Sequence, residues 1–425
     1  MRLFFVTPVW GVNHLSLFLD IGLPSLFARG NLPSLAEPGN CCYLIYTRAE
    51  DEDRLRDHPV IRRLQALMPV EIRRIPEPIV NAHRVMSDCH IDALRCADER
   101  EAATVFVPPD CVWGNSSIAQ IQRIANSGKS LIHISGIRLD CISVVPELKR
   151  YLSDDRCVLD IEPRSLVSLG LAHLHPIAFR HFWKEHDGGL MPANLYWTVP
   201  GEGLALRCFH LHPLFVKPQV KFARFNSTID DDLGLFACPD KSRDYVVTDS
   251  DEIMVFELSP PERIVAGDFV KGSADSVAAW MEIGTNTRHH FLAKHPIRVH
   301  SGPMTETLWR PIEKEGEDLI NEVLHINQQR SLVLAVYHPA VLLWRHYAMT
   351  LDRGRYAQNP RPAARLVLRL LWRLVHGNRR IRALFVDRNG TPRPWHPNRI
   401  FMRPEQAQQS RSGKAPIEAG ARKSG

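Results

Sequence analysis

The chain has 425 residues, of which 44% are hydrophobic and 24% charged, a composition that is ordinary for a soluble globular protein. Nine cysteines are scattered without a CxxC pair or zinc-like spacing, which favours reduced thiols in the cytoplasm over a disulfide framework. The apolar N-terminal run is too short for a signal peptide. No stretch of about 18 apolar residues predicts a membrane-spanning helix.

Strand and helix patterns alternate along the first 140 residues. Short apolar runs predict strands, and segments with helical apolar spacing predict helices between them. In chain order these are strand 3–6, helix 15–26, strand 42–47, helix 49–67, strand 70–75, helix 80–102, strand 105–107, helix 116–127 and strand 130–137. The alternation predicts an α/β protein with a mostly parallel, mixed sheet flanked by helices.

The pattern changes in the second half of the chain. A helical segment at 165–184 precedes predicted strands at 194–198, 205–216 and 245–247. Two helical regions follow, at 274–280 and 312–352, the second interrupted at Pro339. We therefore expect one α/β domain over 1–260, a mainly helical C-terminal region over 261–403 and a disordered, Gln/Ser/Gly/Lys-rich tail over 404–425.

Positive charge is concentrated at the C-terminus. From Arg353 onward there are 17 Lys/Arg against 3 Asp/Glu, whereas the preceding part has 36 basic and 44 acidic residues. Arg365, Arg369 and Arg373 form one stripe of an amphipathic segment, with Trp372 beside it. Such a helix could lie on an anionic membrane surface or pack on the acidic body. The segment lacks the interleaved aromatics of a stacking platform, so no nucleic-acid partner is expected.

The loop after the first strand is a candidate nucleotide site. Thr7, Pro8, Trp10 and Gly11 follow the strand end, where open α/β sheets bind ligands. The loop contains neither GxGxxG nor GxxxxGK[ST], which argues against a dinucleotide fingerprint and a P-loop. The alternative is a strand-capping loop with a packed tryptophan.

Asp110 is the first charged residue after the strand at 105–107 and two prolines. A carboxylate at the carboxyl end of a strand can hold a ribose hydroxyl or a divalent cation. The alternative is a Pro-Asp turn that only ends the strand.

Histidines occur in two copies of one tetrapeptide, His173-Leu-His-Pro and His210-Leu-His-Pro. In a strand, His210 and His212 would point to one side and could bind a metal or phosphate together. The first copy has a helical context, where the two side chains diverge. Structural roles remain open for both copies. His90 and Asp92 are two apart on a predicted helix, and an exposed polar face explains them.

The densest acidic cluster is Asp230-Asp231-Asp232. Adjacent carboxylates repel one another unless a cation or donors neutralise them, so this cluster suits a divalent ion or a general base. A solvated acidic turn is the alternative. The second acidic loop, at 248–252, is interpreted as helix-capping.

Taken together, residues 1–260 resemble a bacterial GT-A-type glycosyltransferase of the nucleotide-diphospho-sugar transferase class. The resemblance rests on the β/α start with Thr7–Gly11, the strand that ends at Asp110, and the later His210-Leu-His212 and Asp230–Asp232. Such enzymes hold ribose and a divalent metal with an Asp-x-Asp motif. Here position 112 is Val112 and not a second Asp, so a metal-independent mechanism with Arg138 or Lys217 at the diphosphate is the alternative.

The resemblance implies specific roles. The nucleotide would contact Thr7, Pro8, Trp10, Gly11 and Asp110, and a Mn²⁺ or Mg²⁺ ion would be held by Asp110, His210 and His212. The catalytic base would be Asp230, Asp231 or Asp232, and Trp183 and Trp197 would stack on the acceptor sugar.

The implied reaction moves a sugar from a nucleotide-diphospho-sugar donor to a hydroxyl of an envelope, lipid-linked or secondary-metabolite acceptor. The enzyme would be cytoplasmic and could lie peripherally at the inner face of the membrane. Two alternatives stay open: a metal-dependent hydrolase that uses the His and Asp clusters, and a non-catalytic membrane-peripheral protein. The donor sugar and the acceptor are left undetermined.

Overall fold

The computed structural model describes residues 1–184, 189–221, 228–262 and 269–337. Within these ranges it contains the strands β1 Leu3–Pro8, β2 Cys42–Thr47, β3 Val70–Arg74, β4 Ala103–Phe106, β5 Cys111–Trp113, β6 Leu131–Ile134, β7 Ile137–Asp140, β8 Asn194–Val199, β9 Gly203–Cys208, β10 His212–Val216, β11 Asp244–Val246, β12 Val255–Ser259 and β13 Ile297–His300.

The helices of the same ranges are α1 Val12–Leu17, α2 Leu23–Leu26, α3 Glu52–Asp57, α4 Pro59–Leu67, α5 Ala82–Glu99, α6 Ser117–Asn126, α7 Cys141–Leu148, α8 Pro163–Ala172, α9 Gly234–Ala237, α10 Ala274–Gly284, α11 Thr287–Leu292 and α12 Glu306–Tyr337. A π-helical turn joins α1 to α2, and another precedes α9.

The main sheet has seven strands in the order β11-β6-β10-β4-β1-β2-β3. Six strands are parallel, and β10 runs antiparallel between β4 and β6. Two three-stranded sheets accompany it, one of β5, β12 and β7 and one of β13, β9 and β8. The predicted class is confirmed: this is an α/β protein with a mostly parallel, mixed sheet flanked by helices and a helical C-terminal region.

Apolar cores cover both faces of the main sheet. Alternate side chains of β1 point to opposite faces, as the period of a strand requires. Leu3 and Phe5 belong to a core shared with α4 and α6, whereas Phe4 and Val6 belong to one shared with α5 and α9. Burial on both faces explains why these strands are continuously apolar rather than alternating.

Two predicted elements are divided in the structure. The helix expected over 49–67 breaks at His58, because the residue before a proline is driven out of the helical region; its ψ is 133° and α4 starts at Pro59. The strand expected over 205–216 is two strands in two sheets, β9 and β10. The bend between them holds His210, and Ala193 carbonyl oxygen accepts the His210 backbone N–H at 3.2 Å.

Residues Met1–Val333 belong to one compact unit, and the functional division at residue 260 stays a prediction. Over the described ranges, no helix is long and apolar enough to cross a membrane. The basic stripe of Arg365, Arg369 and Arg373, the interruption at Pro339 and the 404–425 tail lie outside the described residues.

Candidate functional site

The carboxyl ends of the parallel strands β1, β4 and β6 lie at one edge of the main sheet. Because β10 is antiparallel to its neighbours, its first residue lies at this same edge, and His212 pairs with Ile134 at the end of β6. Asp110 follows β4 at this edge and is half-buried. The inserted strand therefore brings a histidine to the place where α/β sheets bind ligands.

His212 and Asp230 form a hydrogen-bonded pair at this edge. His212 Nδ1 lies 2.9 Å from Asp230 Oδ1. A carboxylate only accepts, so Nδ1 carries the hydrogen and donates it to Asp230. The other ring nitrogen, His212 Nε2, is buried and has no hydrogen-bond partner within the described part of the chain. This arrangement fixes the tautomer of the imidazole and directs Nε2 away from Asp230.

The pair shifts the pKa values of both groups. Burial alone would lower the pKa of His212, but the carboxylate of Asp230, with smaller contributions from Glu257 and Asp110, raises it above its ordinary value. Burial alone would raise the pKa of Asp230, but His212 and, more weakly, His210 and His90 lower it. The interaction therefore favours the charged form of each partner.

His90 was interpreted from sequence as part of an exposed helix face, and this was wrong. His90 is only 5% exposed, and its ring packs against that of Phe106, with 5.0 Å between the ring centroids. Burial, assisted by the charge of His212, lowers the pKa of His90 to about 3, so this imidazole is neutral at physiological pH. Asp92, which lies two positions further along the same helix, accepts a hydrogen bond from the Tyr46 hydroxyl at 2.6 Å.

Asp110 is held by its backbone beside this pair. Its carbonyl oxygen accepts the Leu258 N–H at 2.6 Å, which ties the residue to β12. Arg138, the cation considered for a metal-independent mechanism, pairs with Glu257 at 2.5 Å. Its positive charge is therefore partly offset before any ligand binds.

His210 takes a different direction from His212. His210 Nε2 lies 3.1 Å from Gly284 carbonyl oxygen, so Nε2 carries the hydrogen. Nδ1 faces Asp231 Oδ1 at 3.8 Å, and the ring lies 4.2 Å from that of His289. Ligand atoms of His210, Asp231 and His289 lie within 4.8 Å of one another, whereas His212 does not belong to this group. The structure thus separates His210 from His212, because β10 starts only at position 212.

The hydrogen bonds of His289 weigh against a metal at this set. Asn286 backbone N–H donates to His289 Nδ1 at 3.1 Å, as part of the capping box of α11. A neutral ring then carries its hydrogen on Nε2, which lies 3.2 Å from Asp230 carbonyl oxygen. A metal ligand must offer a lone pair. His289 could offer Nε2 only if the hydrogen bond at Asn286 were lost.

Residues predicted to bind the nucleotide differ in exposure. Thr7 is fully buried, and its hydroxyl donates to Val107 carbonyl oxygen at 2.9 Å while the Tyr43 hydroxyl lies 2.9 Å away. Pro8 is the last residue of β1 and is also buried. Trp10 is half-buried and packs against the α5-side core.

Gly11 adopts a φ of 79°, a conformation that favours glycine. Its N–H donates to Asp51 Oδ2 at 2.8 Å, and Arg48 Nε donates to the same oxygen at 3.0 Å. The Gly11 N–H is therefore already hydrogen-bonded to a carboxylate of the protein and is not offered to a ligand. Trp10 and the exposed side of Gly11 are the parts of the predicted loop that a ligand could reach.

The two tryptophans proposed for the acceptor belong to an apolar core formed by β8, β9, α10 and α12. Trp197 is 7% exposed, its indole N–H donates to Glu315 at 3.3 Å, and a Cβ at Gly316 would lie 3.5 Å from its ring. Its faces are thus covered by protein. Trp183 is half-buried and packs against the same core. Of the acidic triplet, Asp232 is 3% exposed, which leaves Asp230 and Asp231 nearer the surface.

Another group was not predicted as a site. Asp249 and Asp251, interpreted as helix-capping, lie beside His300. The ligand atoms of all three residues are within 4.8 Å of one another. In the sequence, the two aspartates are recognisable only by being two positions apart. His300 follows about 50 positions later, so no local motif links it to them.

No protein-family model and no curated protein matches this chain. Among solved structures, one match is a chain from Bacillus anthracis named as a candidate glucose-1-phosphate thymidylyltransferase, in complex with sucrose. The TM-score is 0.23 and the sequence identity 9%, and the match covers 32% of this chain and 56% of the other. The similarity therefore spans about half of that protein.

Proposed function

We propose that this protein is a glycosyltransferase that uses a nucleotide-diphospho-sugar donor. The observation that carries the proposal is the His212–Asp230 pair, whose Nε2 has no partner in the described structure and which lies beside Asp110 at the carboxyl edge of the sheet. Glycosyl transfer needs a base for the acceptor and stabilisation of the leaving diphosphate. The edge offers one residue for each task.

His212 is the proposed base, oriented by Asp230. In its neutral form, Nε2 accepts the proton of the acceptor hydroxyl while that oxygen bonds to the anomeric carbon of the donor. The bond from this carbon to the diphosphate breaks, and its electron pair leaves with the nucleoside diphosphate. Asp230 stabilises the imidazolium that forms. In this proposal Asp230 orients and stabilises His212 and is not itself the base. The sequence had predicted that one of Asp230, Asp231 and Asp232 is the base.

Asp110 is the proposed residue at the diphosphate. Mg²⁺ and Mn²⁺ are commonly bound by one or two carboxylates together with substrate phosphates, so one aspartate fits such an ion without a histidine. A bound divalent ion would supply positive charge to the departing diphosphate. This assignment replaces the proposed three-residue set of Asp110, His210 and His212 with Asp110 and the donor itself.

The acceptor is proposed to be a hydroxyl of an envelope, lipid-linked or secondary-metabolite molecule. The support is the basic, amphipathic sequence around Arg365, Arg369 and Arg373, which would favour residence near anionic lipids. Vesicles containing anionic lipid should retain the protein at low salt, and replacing the three arginines by glutamine should release it.

A thermal-shift panel tests donor binding. UDP, GDP and dTDP, and their sugars, should be tested with and without Mn²⁺. A ligand at 100 times its Kd stabilises the folded state by about 2.7 kcal/mol, which is readily measured as a rise in Tm. We expect at least one nucleotide to raise the Tm and Asp110→Asn to remove the Mn²⁺-dependent part. A panel without any nucleotide response contradicts the proposal.

Transfer to an acceptor tests the base. His212→Gln should leave nucleotide binding intact and lower the rate of sugar transfer by roughly 10²-fold to 10⁴-fold, the usual contribution of a general base. His173→Gln is the matched control, because it changes the other copy of the same tetrapeptide. Equal rates for the two variants would remove His212 from the mechanism.

A metal-dependent hydrolase is the second candidate, because ligand atoms of His210, Asp231 and His289 lie within 4.8 Å of one another. An ion there would require His289 to give up its hydrogen bond from Asn286. It predicts a Tm rise with Zn²⁺ or Mn²⁺ that needs no nucleotide and is lost in Asp231→Asn. The same variant should leave a nucleotide response unchanged if the transferase proposal is right.

A further inference from the structure

His300 lies at the end of β13 and is fully buried, at 0% exposure. Its Nδ1 is 2.7 Å from Gly302 carbonyl oxygen, and a carbonyl only accepts, so Nδ1 carries a hydrogen. The opposite nitrogen, Nε2, lies 3.0 Å from Asp249 Oδ1 and 3.7 Å from Asp251 Oδ2. A histidine nitrogen and two carboxylates therefore converge on one point.

In the neutral tautomer fixed by Gly302, Nε2 has a lone pair and faces two oxygens that also only accept. Arg164 already offsets the charge of Asp251, but the Asp249 oxygen and the Nε2 lone pair still face each other at 3.0 Å, which is unfavourable without a positive charge between them. Either a second proton on His300 or a cation supplies that charge. A histidine that binds a metal through one nitrogen usually donates the N–H of its other nitrogen, for example to a backbone carbonyl. This hydrogen bond fixes the tautomer and the orientation of the ring.

The distances fit a small divalent ion. Ligand atoms at about 2.0–2.2 Å from a tetrahedral ion lie roughly 3.3–3.6 Å from each other. The two observed separations from His300 Nε2, 3.0 and 3.7 Å, lie close to this range on either side. Small movements of the aspartate side chains would suffice, and these side chains are 40% and 37% exposed, which gives an ion a route from solvent.

The surrounding structure holds the carboxylates in place. Arg164 contacts both oxygens of Asp251, at 3.0 Å from Nε to Oδ1 and 2.6 Å from Nη2 to Oδ2. The Asp251 N–H donates to Asp249 Oδ1 at 2.8 Å. The loop is also fastened to β13, because Ser250 N–H donates to Arg298 carbonyl oxygen at 2.9 Å. Fixed ligands lower the entropic cost of binding an ion.

We propose that Asp249, Asp251 and His300 bind a divalent transition metal ion, with Zn²⁺ as the best match. Imidazole favours zinc and its neighbours, whereas an all-oxygen set would favour Mg²⁺ or Ca²⁺. The ion joins the 248–252 loop, which connects β11 to β12, to the end of β13. Its role is structural, and it is separate from the reaction proposed for His212.

The test uses full-length protein and zinc alone, in a background that disrupts the group of His210, Asp231 and His289. Asp231→Asn is stripped with chelator, exchanged into Zn²⁺ and dialysed, and bound zinc is measured by mass spectrometry. We expect one equivalent in Asp231→Asn and none in Asp231→Asn/Asp249→Asn. Zinc should raise the Tm of the first variant and leave that of the second unchanged.

Asp249→Asn is chosen because asparagine keeps the shape of the side chain and can still accept the Asp251 N–H. Circular dichroism should therefore give the same secondary structure for both variants. Asp251→Asn, in the same background, should also lose the zinc. If Asp231→Asn binds no zinc, or if the added Asp249→Asn change leaves one equivalent in place, the proposal is overturned and a protonated His300 accounts for the cluster.

Discussion

The buried ion pair of Arg288 and Asp244 tests how much free energy of unfolding is lost when a buried charge loses its partner. Arg288 Nη1 donates to Asp244 Oδ2, and its Nη2 donates to Cys238 carbonyl oxygen. Only 5% of the arginine side chain and none of the aspartate side chain is exposed. The Arg288 side chain passes close to Gly234, where a Cβ would lie only 2.7 Å from Arg288 Cδ, so a glycine is needed at this position. The perturbation is Asp244→Asn, which keeps the shape and removes the negative charge.

The expected loss follows from burial. Removing one partner leaves the guanidinium of Arg288 buried without a counter-charge, and breaking a buried pair in this way costs about 3–5 kcal/mol. The pair of Arg330 with Asp275 is the matched control, at 3.0 Å and with 77% of the aspartate side chain exposed. Water solvates such a pair in both states, so Asp275→Asn should cost less than about 1 kcal/mol.

Urea denaturation followed by circular dichroism gives the free energy of unfolding of each variant against the parent protein. We expect a large loss for Asp244→Asn and a small one for Asp275→Asn. In Asp244→Asn/Arg288→Met no charge is left unpaired, so part of the loss should be recovered. Equal losses for the two single variants would refute the reasoning, because burial would then not determine the cost.

Two further predictions concern packing and pH. Gly203→Ala places a Cβ against Val299 carbonyl oxygen across the β9–β13 pair and should cost about 1–3 kcal/mol in urea, whereas Gly39→Ala meets open space and should cost much less. By NMR titration, the pKa of His212 should exceed its ordinary value of about 6.5 and should fall in Asp230→Asn, because the largest contribution that raises it is lost while burial still lowers it. The stability that the raised pKa of His212 contributes is present below about pH 6.5 and lost as the pH rises through that pKa; a pH-independent His212 signal between pH 5 and 8 would contradict this.

Local patterns in the sequence predicted the parallel part of the main sheet well. The strand expected at 42–47 is β2 with the same bounds, and α6 differs by one residue at each end from the helix expected over 116–127. These elements are continuous runs with strong periodicity, which is the signal that sequence carries most clearly. The short strands β5, β7, β12 and β13 were not predicted, because three to five residues with partners far along the chain leave little local pattern.

The candidate site could be predicted only in part, because its geometry depends on pairing between distant segments. The sequence drew attention to His212, Asp230 and Asp110 by composition and by their positions after apolar runs. It could not show that β10 enters the sheet antiparallel, and this is what brings His212 to the edge where β4 ends. His90 was misjudged for the same reason: helical spacing shows which residues share a face, but not whether that face is covered.

Two His/Asp groups in the described part of the chain have metal-ligand spacing, and they differ in the hydrogen bonds of their histidines. His289 accepts a backbone N–H on Nδ1, which puts its hydrogen on Nε2, the nitrogen that lies 3.2 Å from Asp230 carbonyl oxygen. His300 donates from Nδ1 to a carbonyl, which leaves a lone pair on the nitrogen that faces the group. A metal needs that lone pair, so the hydrogen bond on the far side of each ring decides which group can bind an ion. By this criterion the proposed zinc site is the group of Asp249, Asp251 and His300, and not that of His210, Asp231 and His289.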